Sequence, residues 1–173
     1  MTRPSAVATL ALFLAISSHR LAAQDVWKPV TAGGMSVSLP CTAEWTTTKH
    51  DLPEAAAVVT THNLGCKTGD SLYVVGWTEV VTKGPFDGMT ELRSSRDAML
   101  KQAGGAVLLT SGDIVHDGLQ GIEFTANLRG TTLLSSRSVF QGNRMYLVSV
   151  GTPLNQDRSA DIKRLLTSLK IAR

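Results

Sequence analysis

The side chains with the widest chemical range in this sequence are His50, His62 and His116, Cys41 and Cys66, and Trp27, Trp45 and Trp77. Histidine titrates near neutrality and ligates metals, so each of the three could contact a ligand, hold a metal or move a proton. Asp113 and Asp117 flank His116 in the run Asp113-Ile114-Val115-His116-Asp117-Gly118, which would allow an Asp–His pair. The nucleophile of such a hydrolase would have to come from one of many serines. A solvated histidine before a turn-forming Asp-Gly accounts for the same letters. Cys66 has His62 close by in sequence, but one His and one Cys make half a metal site. Trp77 alternates within a strand-like run and is expected in the core, whereas Trp45 lies in a polar stretch and is the better candidate for a surface contact. The three indoles together could also floor an aromatic ligand site.

Beyond these residues the sequence offers no Gly-x-Ser-x-Gly elbow, phosphate loop, Gly-x-Gly-x-x-Gly turn, His-Glu-x-x-His pair or calcium loop. No catalytic centre, metal site or cofactor is therefore expected. Trp45, His50, His62 and His116 stand as candidate ligand or surface contacts.

The fate of the thiols depends on compartment. Arg3 precedes an eleven-residue apolar run, Ala6 to Ile16, which ends in Ser17-Ser18-His19-Arg20 and the small residues Ala22 and Ala23. This is the pattern of a secretory signal peptide. The run is too short to cross a bilayer as a helix, which takes about 20 apolar residues. Residues 1–23 read as the signal peptide and 24–173 as one domain without a membrane span, periplasmic or secreted. Two cysteines in an oxidising compartment usually pair, so a Cys41–Cys66 disulfide is expected. It would close a 26-residue loop, and the chain-entropy argument gives such a loop roughly 3.5 kcal/mol. A reactive or metal-binding thiol is the alternative.

Export also changes the reading of charge. The 173 residues carry 17 basic and 14 acidic side chains, net +3, with a pI near 9.1 that invites a nucleic-acid partner. Arg3 and Arg20 belong to the removable segment, which leaves 15 against 14, net +1. A balanced exported domain is a poor nucleic-acid binder. The remaining charge is split. Residues 24–128 hold 7 basic and 12 acidic groups, and residues 129–173 hold 8 and 2. Either the C-terminal part presents a basic face to an anionic partner, or the two parts pair internally, which is the simpler account. A three-residue loop at Arg129 would set Glu123 opposite Arg137 as a structural ion pair.

The elements that must position these residues are mostly strands. Met35 to Leu39 alternates with period two. Ala55 to Thr61 and Leu72 to Val81 read as a hairpin around a turn that holds Cys66. Val107 to Val115 reads as a strand bent at Gly112-Asp113. Gly121 to Leu128, Thr132 to Gln141 and Arg144 to Val150 form a meander, with Ile122, Phe124, Ala126 and Leu128 on one face. A helix is predicted from Met89 to Ala103, capped by Asp87 or Thr90 and closed by Gly104-Gly105. A second is predicted from Gln156 to Ser168, with Asn155 or Asp157 as cap and Ile162, Leu165, Leu166 and Leu169 buried. Leu169-Lys170-Ile171 can return as a short strand. The fold class is α+β, an antiparallel sheet flanked by helices.

Several of these segments resemble the PsbP-like superfamily, named after an extrinsic photosystem II subunit. Met35-Ser36-Val37-Ser38-Leu39-Pro40 is similar to its opening strand, and Leu119-Gln120-Gly121-Ile122-Glu123-Phe124 to its Gly-x-Glu-aromatic strand. Arg137 and then Gly142-Asn143-Arg144-Met145-Tyr146-Leu147 resemble the following hairpin. Leu165-Leu166-Thr167-Ser168-Leu169 resembles the closing helix, with Leu169 where the family has an aromatic. The cysteine pair looks like that of exported bacterial members of unassigned function. The resemblance implies an α/β/α sandwich and a mostly non-enzymatic accessory role, with no family active site to carry over. The function expected is an exported accessory or binding domain acting through an envelope protein partner. A small-molecule or metal-binding module and an undetected hydrolase are the alternatives.

Overall fold

The computed structural model describes residues 26–52, 57–83 and 86–172; the expected signal peptide lies outside them. Strands β1 (Lys28–Ala32) and β2 (Met35–Leu39) form a hairpin, and β3 (Glu44–Leu52), β4 (Ala57–Thr68) and β5 (Ser71–Thr82) follow. After α1 (Gly88–Ala103) come β6 (Ala106–His116), β7 (Leu119–Leu128), β8 (Thr132–Gln141) and β9 (Arg144–Pro153). Helix α2 (Ser159–Ser168) and the two-residue β10 (Lys170–Ile171) end the described chain. Seven strands form an antiparallel sheet in the order β3-β4-β5-β9-β8-β7-β6, and β1, β2 and β10 form a three-stranded sheet.

Period-two alternation sends the apolar residues of the large sheet to two different cores. On one face Leu64, Tyr73, Val75, Val139, Tyr146, Val148 and Val150 are buried against Met35, Val37 and Leu39 of β2 and Leu165, Leu166 and Leu169 of the C-terminal segment. On the other face Ile122, Phe124 and Leu134 pack against Leu92, Met89, Met99 and Leu100 of α1. The layers thus depart from a sheet flanked by helices alone. One face is covered by α1, the other by α2 together with a second small sheet. The second sheet arises because β2 is buried on alternate residues while its backbone edges bond β1 and β10.

Local chemistry explains where the helices begin and end. Asp87 caps α1: its carboxylate accepts from the Met89 and Thr90 amides and from the Thr90 hydroxyl. These bonds, the Thr90 hydroxyl foremost, hold the Asp87 carboxyl below the ordinary aspartate range. Helix α2 begins at Ser159, three residues later than Gln156, since Asp157 accepts the Ser159 amide and the chain before it is a turn. At its other end the Ser168 hydroxyl donates to Leu165 O and accepts the Ser38 amide, which pins the helix terminus to β2.

Other boundaries differ from expectation for physical reasons. Strand β4 runs through Gly65 and Cys66 to Thr68, so Cys66 lies within a strand paired with Tyr73, and the turn shrinks to Gly69-Asp70. Strands β1 and β3 add to the set the sequence predicts. β3 carries a polar run, Glu44 to Asp51, that a period of apolar residues cannot reveal at a sheet edge. The irregularity in β6 falls between Leu108 and Thr110, and Gly112 stays in register opposite Glu123.

Cys41 and Cys66 are joined in a disulfide with Cα atoms 5.9 Å apart, tying the segment after β2 to β4. It crosslinks the small sheet to the large one, so reduction should cost about 2–4 kcal/mol. Urea unfolding with and without dithiothreitol measures this directly, and a Cys41→Ala/Cys66→Ala variant should match the reduced protein.

Candidate functional site

The polar residues of the large sheet gather in two places on the face shared with α2. The first centres on Arg137 of β8. The β7–β8 connection is the three residues Arg129 to Thr131, and the resulting register sets Arg137 opposite Glu123. Arg137 Nε donates to Glu123 Oε2 at 2.8 Å and Nη2 reaches the same oxygen at 2.6 Å. Nη1 donates to the Leu166 carbonyl at 2.8 Å, filling one of the orphan acceptors at the end of α2. Nη1 also faces His116 Nδ1 at 3.2 Å, and His116 Nε2 lies 2.9 Å from the Leu169 carbonyl. A guanidinium can only donate and a carbonyl can only accept, so the partners assign the tautomer. The tautomer that satisfies both partners carries its proton on Nε2, given to Leu169, and directs the Nδ1 lone pair at Arg137.

This arrangement does not make the Asp–His pair that the sequence would allow with Asp113. Residues 113 and 116 fall on opposite faces of β6, and Asp113 pairs with Arg93 of α1 at 2.6 Å. Asp117 lies 3.8 Å from His116 Nε2 and 3.7 Å from Lys170 Nζ, at the left-handed turn before Gly118. The His116 ring, 11% exposed, joins the β6–β7 hairpin to the residue that connects α2 to β10.

The second place is the corner formed by β3, β4 and β5. The register runs Thr47, His62, Trp77, Tyr146 across neighbouring strands. The His62 ring stacks on Trp77 with centroids 4.4 Å apart, and Thr47 Oγ1 lies 3.0 Å from His62 Nδ1. Trp45 meets Trp77 edge to face at 5.2 Å and remains 42% exposed. Behind them the Gly33-Gly34 turn closes over Trp77. Both glycines have positive φ, and a Cβ on Gly33 would overlap the Trp77 ring. Arg144 fastens that turn by donating to the Gly33 carbonyl while pairing with Glu79. The Tyr146 hydroxyl, and then Glu79, hold the Arg144 guanidinium above its ordinary value.

Of the candidate residues, the structure brings Trp45 and His62 together and sets His116 near the opposite edge. β3 and β6 are the two edge strands, six strand spacings apart, or about 29 Å at about 4.8 Å each. His50 lies in β3 opposite Val59; its side chain is outside the described residues. The three indoles do not share a floor. Trp27 packs edge to face on Tyr73 under the Arg164 guanidinium. Among the described residues no group of three His, Cys, Asp or Glu side chains could hold a metal ion, and no helix is long and apolar enough to cross a membrane. Arg144, Asn143 and Ser168 carry ties that sequence reasoning missed. Asn143 Nδ2 donates to the Val80 carbonyl, a contact 63 positions away for which no local pattern exists.

No family model matches the sequence, and no curated relative does. Among solved structures, the fold matches the solution structure of cyanobacterial PsbP (CyanoP) from Synechocystis sp. PCC 6803. The match has a TM-score of 0.58 at 10% identity and covers 90% of this chain and 98% of that one. The chain therefore has a PsbP-like fold.

Removing the Arg137 guanidinium strips hydrogen bonds from Glu123, His116 and Leu166 at once. Arg137→Ala should lose about 2–3 kcal/mol in urea unfolding, since bonds to charged groups are each worth about 1.5–3 kcal/mol. Glu123→Gln, which removes only a half-exposed charge, should lose under about 1 kcal/mol. Amide exchange at Lys170 and Ile171 should accelerate in the first variant and not in the second.

Proposed function

We propose that the protein is an exported, non-catalytic binding domain that docks a protein partner of the cell envelope through the ring-bearing corner at Trp45. The observation that carries this reading is Trp45 itself, a large indole left 42% exposed yet held in place by Trp77. Interface hot spots are enriched in tryptophan because a rigid ring supplies much contact area with little ordering cost. Thr47, two residues along on the same face, sets a hydroxyl beside it. The disulfide and the leader-like first 23 residues both favour an oxidising compartment.

A hydrolase centred on His116 has less support. A general base needs a free lone pair within reach of its substrate, and the Nδ1 lone pair faces Arg137 while Nε2–H is given to Leu169.

Affinity capture from envelope extract at low salt tests the proposal. Wild-type protein should recover a specific partner, Trp45→Ala should lose it by tenfold or more, and the control Lys49→Ala on the same strand should keep it. Recovery of nothing specific, or retention by Trp45→Ala, overturns the reading. Because Trp45 lies on an edge strand, Trp45→Ala should unfold within a few degrees of wild type.

A further inference from the structure

The sheet face beneath α1 holds a cleft that the Trp45 corner does not use. It measures about 370 Å³ and is walled by Leu72, Val74, Met99, Leu128, Leu134 and Leu147, a size and lining typical of small-molecule sites. Its floor is made by small residues of β9. Gly151 has nothing nearer to a notional Cβ than a Thr132 methyl at 3.4 Å. Ser149 offers a hydroxyl whose bond among the described residues is long, 3.5 Å to the Ser135 carbonyl. Across the β8–β9 pair from Ser149, the Ser136 hydroxyl is buried with no hydrogen-bond partner among the described residues. One end of the cleft is bounded by Lys67, near the end of β4, and Asp70, in the β4–β5 turn. The ion pairs of the described residues involve neither of them.

We propose that this cleft binds a small apolar zwitterion, of the class of an apolar dipeptide with free termini. The apolar side chains lie against the leucine walls and the floor hydroxyl of Ser149 meets the amide. The carboxylate faces Lys67 and the ammonium faces Asp70. Two opposite charges at one end of an otherwise apolar cleft complement a ligand that carries both signs close together, and fit a singly charged amphiphile less well. The proposal is independent of the Trp45 surface, which lies on the opposite face of the sheet.

The probes are Leu-Leu, N-acetyl-Leu-Leu and Leu-Leu amide, titrated into the full exported protein by calorimetry and thermal shift. A ligand that binds the folded state must raise the midpoint. Leu-Leu should do so at millimolar concentration, and each capped form should bind about two- to fivefold more weakly, the range for one solvent-exposed ion pair. Lys67→Gln should erase the penalty for the amide, and Asp70→Asn the penalty for the acetyl group. Gly151→Val, which fills the floor, and Leu72→Gln, at a half-exposed wall position tolerant of change, should each weaken Leu-Leu at least tenfold. No midpoint shift with any probe overturns the site. Equal affinity for capped and uncapped forms overturns the zwitterion, as does binding that survives both cleft variants.

Discussion

The Arg137 guanidinium is the point at which the large sheet, the C-terminal helix and the small sheet meet. It reaches Glu123 on the neighbouring strand, the Leu166 carbonyl at the end of α2 and the His116 ring, which in turn donates to Leu169. Helix α2 is only ten residues long, too short to be stable without tertiary contacts. Leu165 and Leu166 provide the apolar part of that contact, but apolar contact fixes neither the rotation nor the axial position of a helix. The directed bonds to its last carbonyls do. Once α2 ends where Arg137 and the Ser168–Ser38 bond place it, Leu169 is extended and Lys170 and Ile171 fall beside Met35 and Ser36. The small sheet is completed as a consequence.

The same logic accounts for the uneven charge along the sequence. The C-terminal quarter carries most of its arginines at positions where an earlier segment presents a carboxylate, a carbonyl or a ring. Arg137 meets Glu123, Arg144 meets Glu79, Lys170 meets Asp117, Arg129 meets the carbonyls at the end of α1 and Arg164 lies over Trp27. Guanidinium suits this use because it stays charged and offers several donors in a fixed plane. The acidic strands precede the basic ones in sequence and pair with them in the fold, so charge that looks like a ligand-binding face in one dimension becomes internal adhesion in three.

What could be read from the letters follows from whether a residue's role is local. Alternation in β2 and β7 gives away their buried faces, Asp87 or Thr90 marks the start of α1 and the structure selects Asp87, and the paired cysteines need only a compartment argument. β3 is hidden because an edge strand with threonines on both faces has no apolar period, and Gly65 and Gly69 bracket Cys66 as a turn would. Gly65 is in fact an ordinary strand residue opposite Val74, with room for its neighbours. The corner at Trp45 was half legible. Exposure of Trp45 follows from its polar surroundings, but its meeting with His62 on either side of Trp77 depends on the register of three strands, which no single window of sequence contains.

Coverage of the large sheet explains why one face is left with a cleft. Seven strands at about 4.8 Å make a layer roughly 30 Å across, whereas a helix with its side chains is about 10–12 Å wide. The face toward β2 meets this by combining a helix with a second sheet. The other face has α1 alone, which contacts β6, β7 and β8 and leaves β5 and β9 largely without a covering element. A bare strand face must either turn polar or stay apolar and be filled. Near β4 the residues Thr61, Asn63 and Lys67 take the first course. Leu72, Val74 and Leu147 take the second, around a floor kept low by Gly151 and Ser149. Apolar walls over an unfilled floor forgo the dispersion contacts that a packed side chain would supply. Larger residues at 149 and 151 would recover them, so the small residues there are the feature of this face that packing alone does not explain.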